Sequence, residues 1–174
     1  MPPATTKTHH YTLKTLPEIF DLSQLLSRYF PDPEQVMTAI YELLLNAVEH
    51  GNLGLGFKAK TALVREGRWE AEITRRLSLP HYAGKQVEIS VVQDADECRL
   101  TIADQGQGFH WQEYLRRVAD PRFPHGRGLI IALNAGFDRI TFNDAGNIVT
   151  CVMARDFSLF SRINGVFALE NGSR

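Results

Sequence analysis

The chain has 174 residues, enough for one domain with a sizeable buried core. Its 19 Lys and Arg against 20 Asp and Glu give a net charge of −1, with both signs scattered, which argues against a general binder of nucleic acid or membrane surfaces. Cys98 and Cys151 lie far apart in strand-like apolar runs and read as reduced core residues. No stretch reaches the length of a membrane span, and Met1 to Thr8 lacks the pattern of a signal peptide, so the expected compartment is the cytoplasm.

In chain order, His9 to Leu16 alternates as a strand, and a helix opened by Pro17 runs to about Phe30. Asp32 is placed to cap a second helix, in which Val36, Ile40, Leu43 and Ala47 recur at helical spacing up to the stop at Gly51-Asn52. Residues 54–85 form a charged stretch whose Leu63, Trp69, Ile73 and Leu77 predict one or two surface helices. Gln86 to Gln93 and Cys98 to Ala103 then alternate as a hairpin turned at Asp94 to Glu97. A short helix is expected from His110 to Ala119, and a second, opened by glycines, from His125 to Gly136. Strands Phe137 to Phe142 and Ile148 to Ala154, joined at Asn143 to Gly146, close the order. The expected fold is a two-layer α+β sandwich in one domain, with a mixed, mostly antiparallel sheet covered by helices on one face and a helical insertion at 54–85.

On the second helix, Glu42 and Asn46 lie one turn apart at the border of the apolar stripe, with His50 a turn further on. Polar groups placed beside a core need partners, although the same spacing also suits a solvated helix face. An amide oxygen at Asn46 suits magnesium, which prefers hard oxygen ligands and bridges nucleotide phosphates. A partly desolvated carboxylate at Glu42 suits a general base, and His50 suits a supporting residue that fixes the helix end.

Two glycine loops follow. DQGQGF, Asp104 to Phe109, leaves a predicted strand with glycines at alternate positions; it fits a ligand pocket in which Asp104 accepts from an exocyclic amino group and Gly106 and Gly108 keep the wall open, and equally a type II turn. His125 to Leu129 opens a helix whose free N–H groups suit a phosphate, with Arg127 the favoured cation among Arg116, Arg117, Arg122 and Arg127. The Lys-Ser/Thr of a Walker A loop and the βαβ setting of a dinucleotide fingerprint are both missing.

ELLLNAVEH from Glu42 to His50, DQGQGF from Asp104 to Phe109 and GRGL from Gly126 to Leu129 resemble, in this order, the N, G1 and G2 boxes of the Bergerat-fold (GHKL) ATP-binding domains. The NAVEHGN ending is similar to the anti-sigma-factor serine/threonine-protein kinases, and the resemblance spans about His9 to Asp156. It implies ATP and Mg2+ as cofactors, with Glu42 as general base and Asn46 as magnesium ligand. Asp104 is then the adenine reader, and Gly106, Gly108, Phe109, Gly126, Arg127, Gly128 and Leu129 the remaining ATP-binding residues. The implied partners are a STAS-domain anti-anti-sigma protein, a sigma factor and a second copy of the chain in a homodimer. Two departures stand out: the long 54–85 stretch, and Asn147-Ile148 where the family tends to have Gly-Thr. A nucleotide-gated module without catalysis and the catalytic domain of a histidine kinase are the alternative readings. No helix pair carrying a phosphoacceptor histidine precedes the N box, so autokinase activity on this chain is not expected.

Overall fold

The computed structural model describes residues 6–113, 132, 134 and 136–155. The first strand, β1 (Lys7–Leu13), ends earlier than its alternation suggests. Glu18 takes the main-chain N–H of Thr15 at 2.7 Å, and α1 (Leu16–Ser27) starts there, with Pro17 in its first turn. The Asp32 carboxylate accepts the Gln35 N–H at 3.1 Å and caps α2 (Pro33–Asn46), as its sequence predicts. The 54–85 stretch contains three short helices: α3 (Phe57–Arg65), α4 (Trp69–Ser78) and α5 (Pro80–Ala83). α3 buries no residue, but α4 sinks Ile73 fully into the core, and Leu63, Trp69, Leu77 and Tyr82 pack against that core. The segment is therefore docked along one helix rather than lying wholly on the surface.

Among the described residues the sheet has four more strands: β2 (Val87–Gln93), β3 (Glu97–Ala103), β4 (Arg139–Phe142) and β5 (Ile148–Ala154). Their order is β1-β2-β3-β5-β4, and every neighbouring pair is antiparallel. The described strands are antiparallel throughout, where a mixed, mostly antiparallel sheet is expected. β2–β3 and β4–β5 are pairs adjacent in the chain, β3 and β5 pair although β4 lies between them in sequence, and the long α1–α5 crossover returns β2 antiparallel to β1. At Asp94 one carboxylate oxygen accepts the N–H groups of Asp96 and Glu97, each at 2.9 Å, and so turns the β2–β3 hairpin. Of the expected helix between His110 and Ala119, residues 111–113 are described and helical; in the one expected from His125 to Gly136, Ala132 and Asn134 are helical and the rest lies outside the described residues up to Gly136.

Strand alternation sorts the sheet into two faces. Tyr11, Ile89, Ile102, Val149 and Phe142 stand side by side across all five strands, and the row His9, Val91, Leu100, Cys151 and Ile140 lies next to it. Buried members of these rows share one core with Ile19 and Leu26 of α1 and with Val36, Ile40, Leu43 and Leu44 of α2. The other face carries the exposed Glu88 and Arg99 and a polar row of His10, Ser90, Thr101, Thr150 and Thr141. Cys98 and Cys151 are buried free thiols, as read from their surroundings in sequence. Among the described residues no helix is long and apolar enough to cross a membrane.

Leu100 sits at the centre of the sheet with no exposure. Leu100→Ala is expected to lower stability by about 2–5 kcal/mol through lost burial and a residual cavity. Chemical denaturation reads this as an earlier midpoint at an unchanged slope.

Candidate functional site

The regular helix ends at Asn46, and the chain continues through Ala47–Asn52 as a single wider turn. Leu53 N–H reaches back five residues to the Val48 carbonyl at 3.0 Å. Such one-residue widenings need side-chain support, because they give up ordinary helical bonding. Two fully or nearly buried polar residues supply it here. Glu49 has no exposure; it is ion-paired to Lys60 of α3 at 2.5 Å and accepts the indole N–H of Trp69 of α4. Asn52 accepts the Gln105 N–H at 2.7 Å, which draws the turn against the loop that follows β3. His50 bonds to the Leu55 carbonyl through Nδ1 and is half-buried, which agrees with a residue that fixes the end of the helix.

The loop after β3 approaches this turn so closely that only glycines fit. A Cβ at Gly51 would overlap the Asp104 carboxyl group, and a Cβ at Gly106 would overlap the Gly51 carbonyl. Gly108 has φ +75°, and a side chain there would collide with the Ala145 carbonyl. The turn before β5 holds the loop from the other side. Asn143 Oδ1 accepts from the N–H groups of Gly146, Asn147 and Ile148, at 2.8, 3.0 and 3.1 Å. Asn147 then accepts the Asp104 N–H on its carbonyl at 2.9 Å, and its side-chain amide donates to the Asp104 carbonyl at 3.3 Å. Asn147 Oδ1 is taken by Asn143 at 2.8 Å, so this side chain is spent on holding the loop.

A cavity of about 720 Å³ opens between these elements, in the size range of small-molecule sites. Glu42, Asn46, His50, Asp104, Gly106, Gly108 and Phe109 all line it, so seven expected site residues from two distant segments share one space. Gly126, Arg127, Gly128 and Leu129 lie outside the described residues, as do Arg116, Arg117 and Arg122. The floor is apolar, with Leu43, Ala47, Ile102 and Val149, and the 54–85 segment adds Lys60, His81, Tyr82 and Lys85.

The electrostatics of the walls are uneven. Glu42 and Asn46 are half-buried on the cavity, and their side chains make no hydrogen bond or ion pair with the protein. Burial raises the Glu42 carboxyl above the usual range; the Lys60 cation opposes this and the Glu49 charge adds to it. The Asp104 carboxyl is pushed up to about 6 by burial, against the pull of the Gly106 N–H and the Lys85 cation. Oδ1 of Asp104 accepts that Gly106 N–H at 2.8 Å, and Oδ2 is the acceptor that remains for a ligand. Among the described residues no group of three or more His, Cys, Asp or Glu is placed to hold a metal ion.

Glu49, Asn52, Lys60, Tyr82, Lys85 and Asn147 were not singled out as site residues by sequence. For Glu49 a signal existed: it lies seven residues after Glu42 and three after Asn46, on the same helical face. The others reach the cavity through tertiary docking, which periodicity does not report. Compared with known protein families and with curated proteins, the chain matches none.

A raised carboxyl pKa means that the folded chain binds the proton more tightly than the unfolded one, so Asp104 contributes stability at acid pH that is lost as pH rises through about 6. Asp104→Asn, whose amide oxygen can still accept from Gly106, is expected to melt above the wild type at about pH 8. The gap should close as pH falls from about 6 toward about 3, below the ordinary aspartate range, where Asp104 is mostly protonated in both states. Thermal unfolding of the two proteins across this range checks it.

Proposed function

We propose that this chain is a Bergerat-type ATP-binding domain acting as a magnesium-dependent serine-protein kinase, of the anti-sigma-factor kind, on a STAS-domain partner. The observation that carries the reading is the convergence on one cavity of Glu42, Asn46, Asp104, Gly106 and Gly108, the first two with side chains that make no hydrogen bond with the protein. Both side chains are half-buried and keep their hydrogen-bonding capacity toward the cavity, where a ligand can use it. The open antiparallel sheet with helices packed on its apolar side is compatible with that fold.

In this reading Asp104 accepts the exocyclic amino group of adenine on Oδ2, while Gly106 and Gly108 let the base approach the backbone. Asn46 offers its amide oxygen to magnesium, which neutralises phosphate charge when bound. Glu42 removes the proton from the attacking serine hydroxyl. Its raised pKa suits that task, because a base whose affinity for protons lies nearer neutrality drives the transfer better than an ordinary carboxylate. The apolar floor of Leu43, Ile102 and Val149 keeps water from the base end of the nucleotide.

Magnesium-ATP should raise the melting temperature of the wild type by mass action, and this shift should vanish in Asn46→Ala. Glu42→Gln should keep the shift and lose phosphotransfer to a STAS protein by about 10²–10⁴-fold, the usual contribution of a positioned base. Because the working form of Glu42 is ionised, wild-type transfer should fall on acidification with a break above the usual glutamate range. Calorimetric or fluorimetric melting and a radiolabel transfer assay measure all three. Wild-type protein that neither shifts with magnesium-ATP nor phosphorylates serine sinks the proposal, whereas a shift without transfer leaves only a nucleotide-gated module.

A further inference from the structure

The described lining of the cavity includes two residues with a full positive charge, Lys60 and Lys85. They act at different ends: Lys85 on Asp104 and Lys60 on Glu42. Lys60 comes from α3, a helix with no fully buried residue, and its side chain would be free to swing without an anchor. The anchor is Glu49. One carboxylate oxygen holds the Lys60 ammonium at 2.5 Å, and the other holds the Trp69 indole, whose ring lies 5.9 Å from the same ammonium. A buried carboxylate has no water to turn to, so the lysine is pinned where it stands.

An ammonium group has three donors. Glu49 takes one, and Lys60 makes no other hydrogen bond with the protein, so two donors remain on a side chain that is still partly exposed and borders the cavity. Glu42, on whose charge Lys60 acts, and Asn46 line the same cavity, and neither side chain makes a hydrogen bond with the protein. We propose that Lys60, pinned by Glu49, is a phosphate-binding residue that contacts the phosphate chain of the nucleotide at the Glu42–Asn46 end of the cavity. This assignment rests on the nucleotide reading above. It gives the 54–85 segment a place in the binding site: α3 supplies the cation and α4, through Trp69, helps to fix its anchor. A lysine is suited to the task, since a compact point charge neutralises phosphate oxygens without demanding a planar fork.

The test is titration calorimetry with ATP, ADP and adenosine in magnesium buffer on the full chain. Lys60→Met should weaken ATP about ten- to a hundredfold, as expected for losing a hydrogen bond to a charged group, and leave adenosine affinity unchanged. Lys60→Arg should restore part of the loss. If Lys60→Met does not fold because Glu49 is left alone, the double variant Lys60→Met, Glu49→Gln removes both charges and should show the same selective loss. Unchanged ATP affinity, or an equal loss for ATP and adenosine, overturns the assignment while leaving the nucleotide site in place. A wild-type chain that binds neither compound overturns the nucleotide reading and the assignment together.

Discussion

A carboxylate with no contact to water must find its partners inside the protein, and Glu49 meets that requirement with groups drawn from two other helices. The cost of breaking such a buried pair by removing one member is about 3–5 kcal/mol. Much of the geometry follows from this. The wider turn at Ala47–Asn52 is retained, α3 and α4 are drawn onto the end of α2, and Ile73 is carried into the core. One wall of the cavity exists because a charge had to be satisfied behind it.

The opposite wall is made by absence of side chains. Gly51 and Gly106 allow two stretches of backbone to touch, and Asn52 and Asn147 then fasten the loop between them from either side. Asp104 is the residue left in the narrow place, and its shifted proton affinity is the electrostatic consequence of being crowded there. The wall groups are thus set by contacts within the protein. Preorganised polar groups of this kind lose little freedom on binding.

Much of the arrangement can be read from residue order alone. The 3.6-residue recurrence of Val36, Ile40 and Leu43 and the alternation in β2, β3 and β5 are direct reports of burial on one face. Asp32, Asp94 and Asn143 announce their turns by side-chain chemistry that acts locally. Glu42, Asn46 and Asp104 were legible as polar residues set against apolar runs, and they do meet around one space. What escapes such a reading is non-local. The end of β1 is set by Glu18 reaching back to Thr15, β2 is returned antiparallel to β1 by the long crossover, and a one-residue widening leaves the apolar pattern of α2 unaltered. Lys60 and Trp69 look like members of a charged surface helix until their partner eleven and twenty residues earlier is known.

The bond between Asp104 and Asn147 spans 43 residues, and the one between Gln105 and Asn52 spans 53. Contacts of such separation form after local hairpins and helical turns, since the chain must first give up the entropy of the intervening loop. The β2–β3 hairpin can be made early from its own neighbours, but the cavity cannot appear until β5 has docked and α2 has been brought over the sheet. Occupancy of this space is therefore a late event in the life of the chain, and anything that binds there selects the finished molecule over every partly folded one.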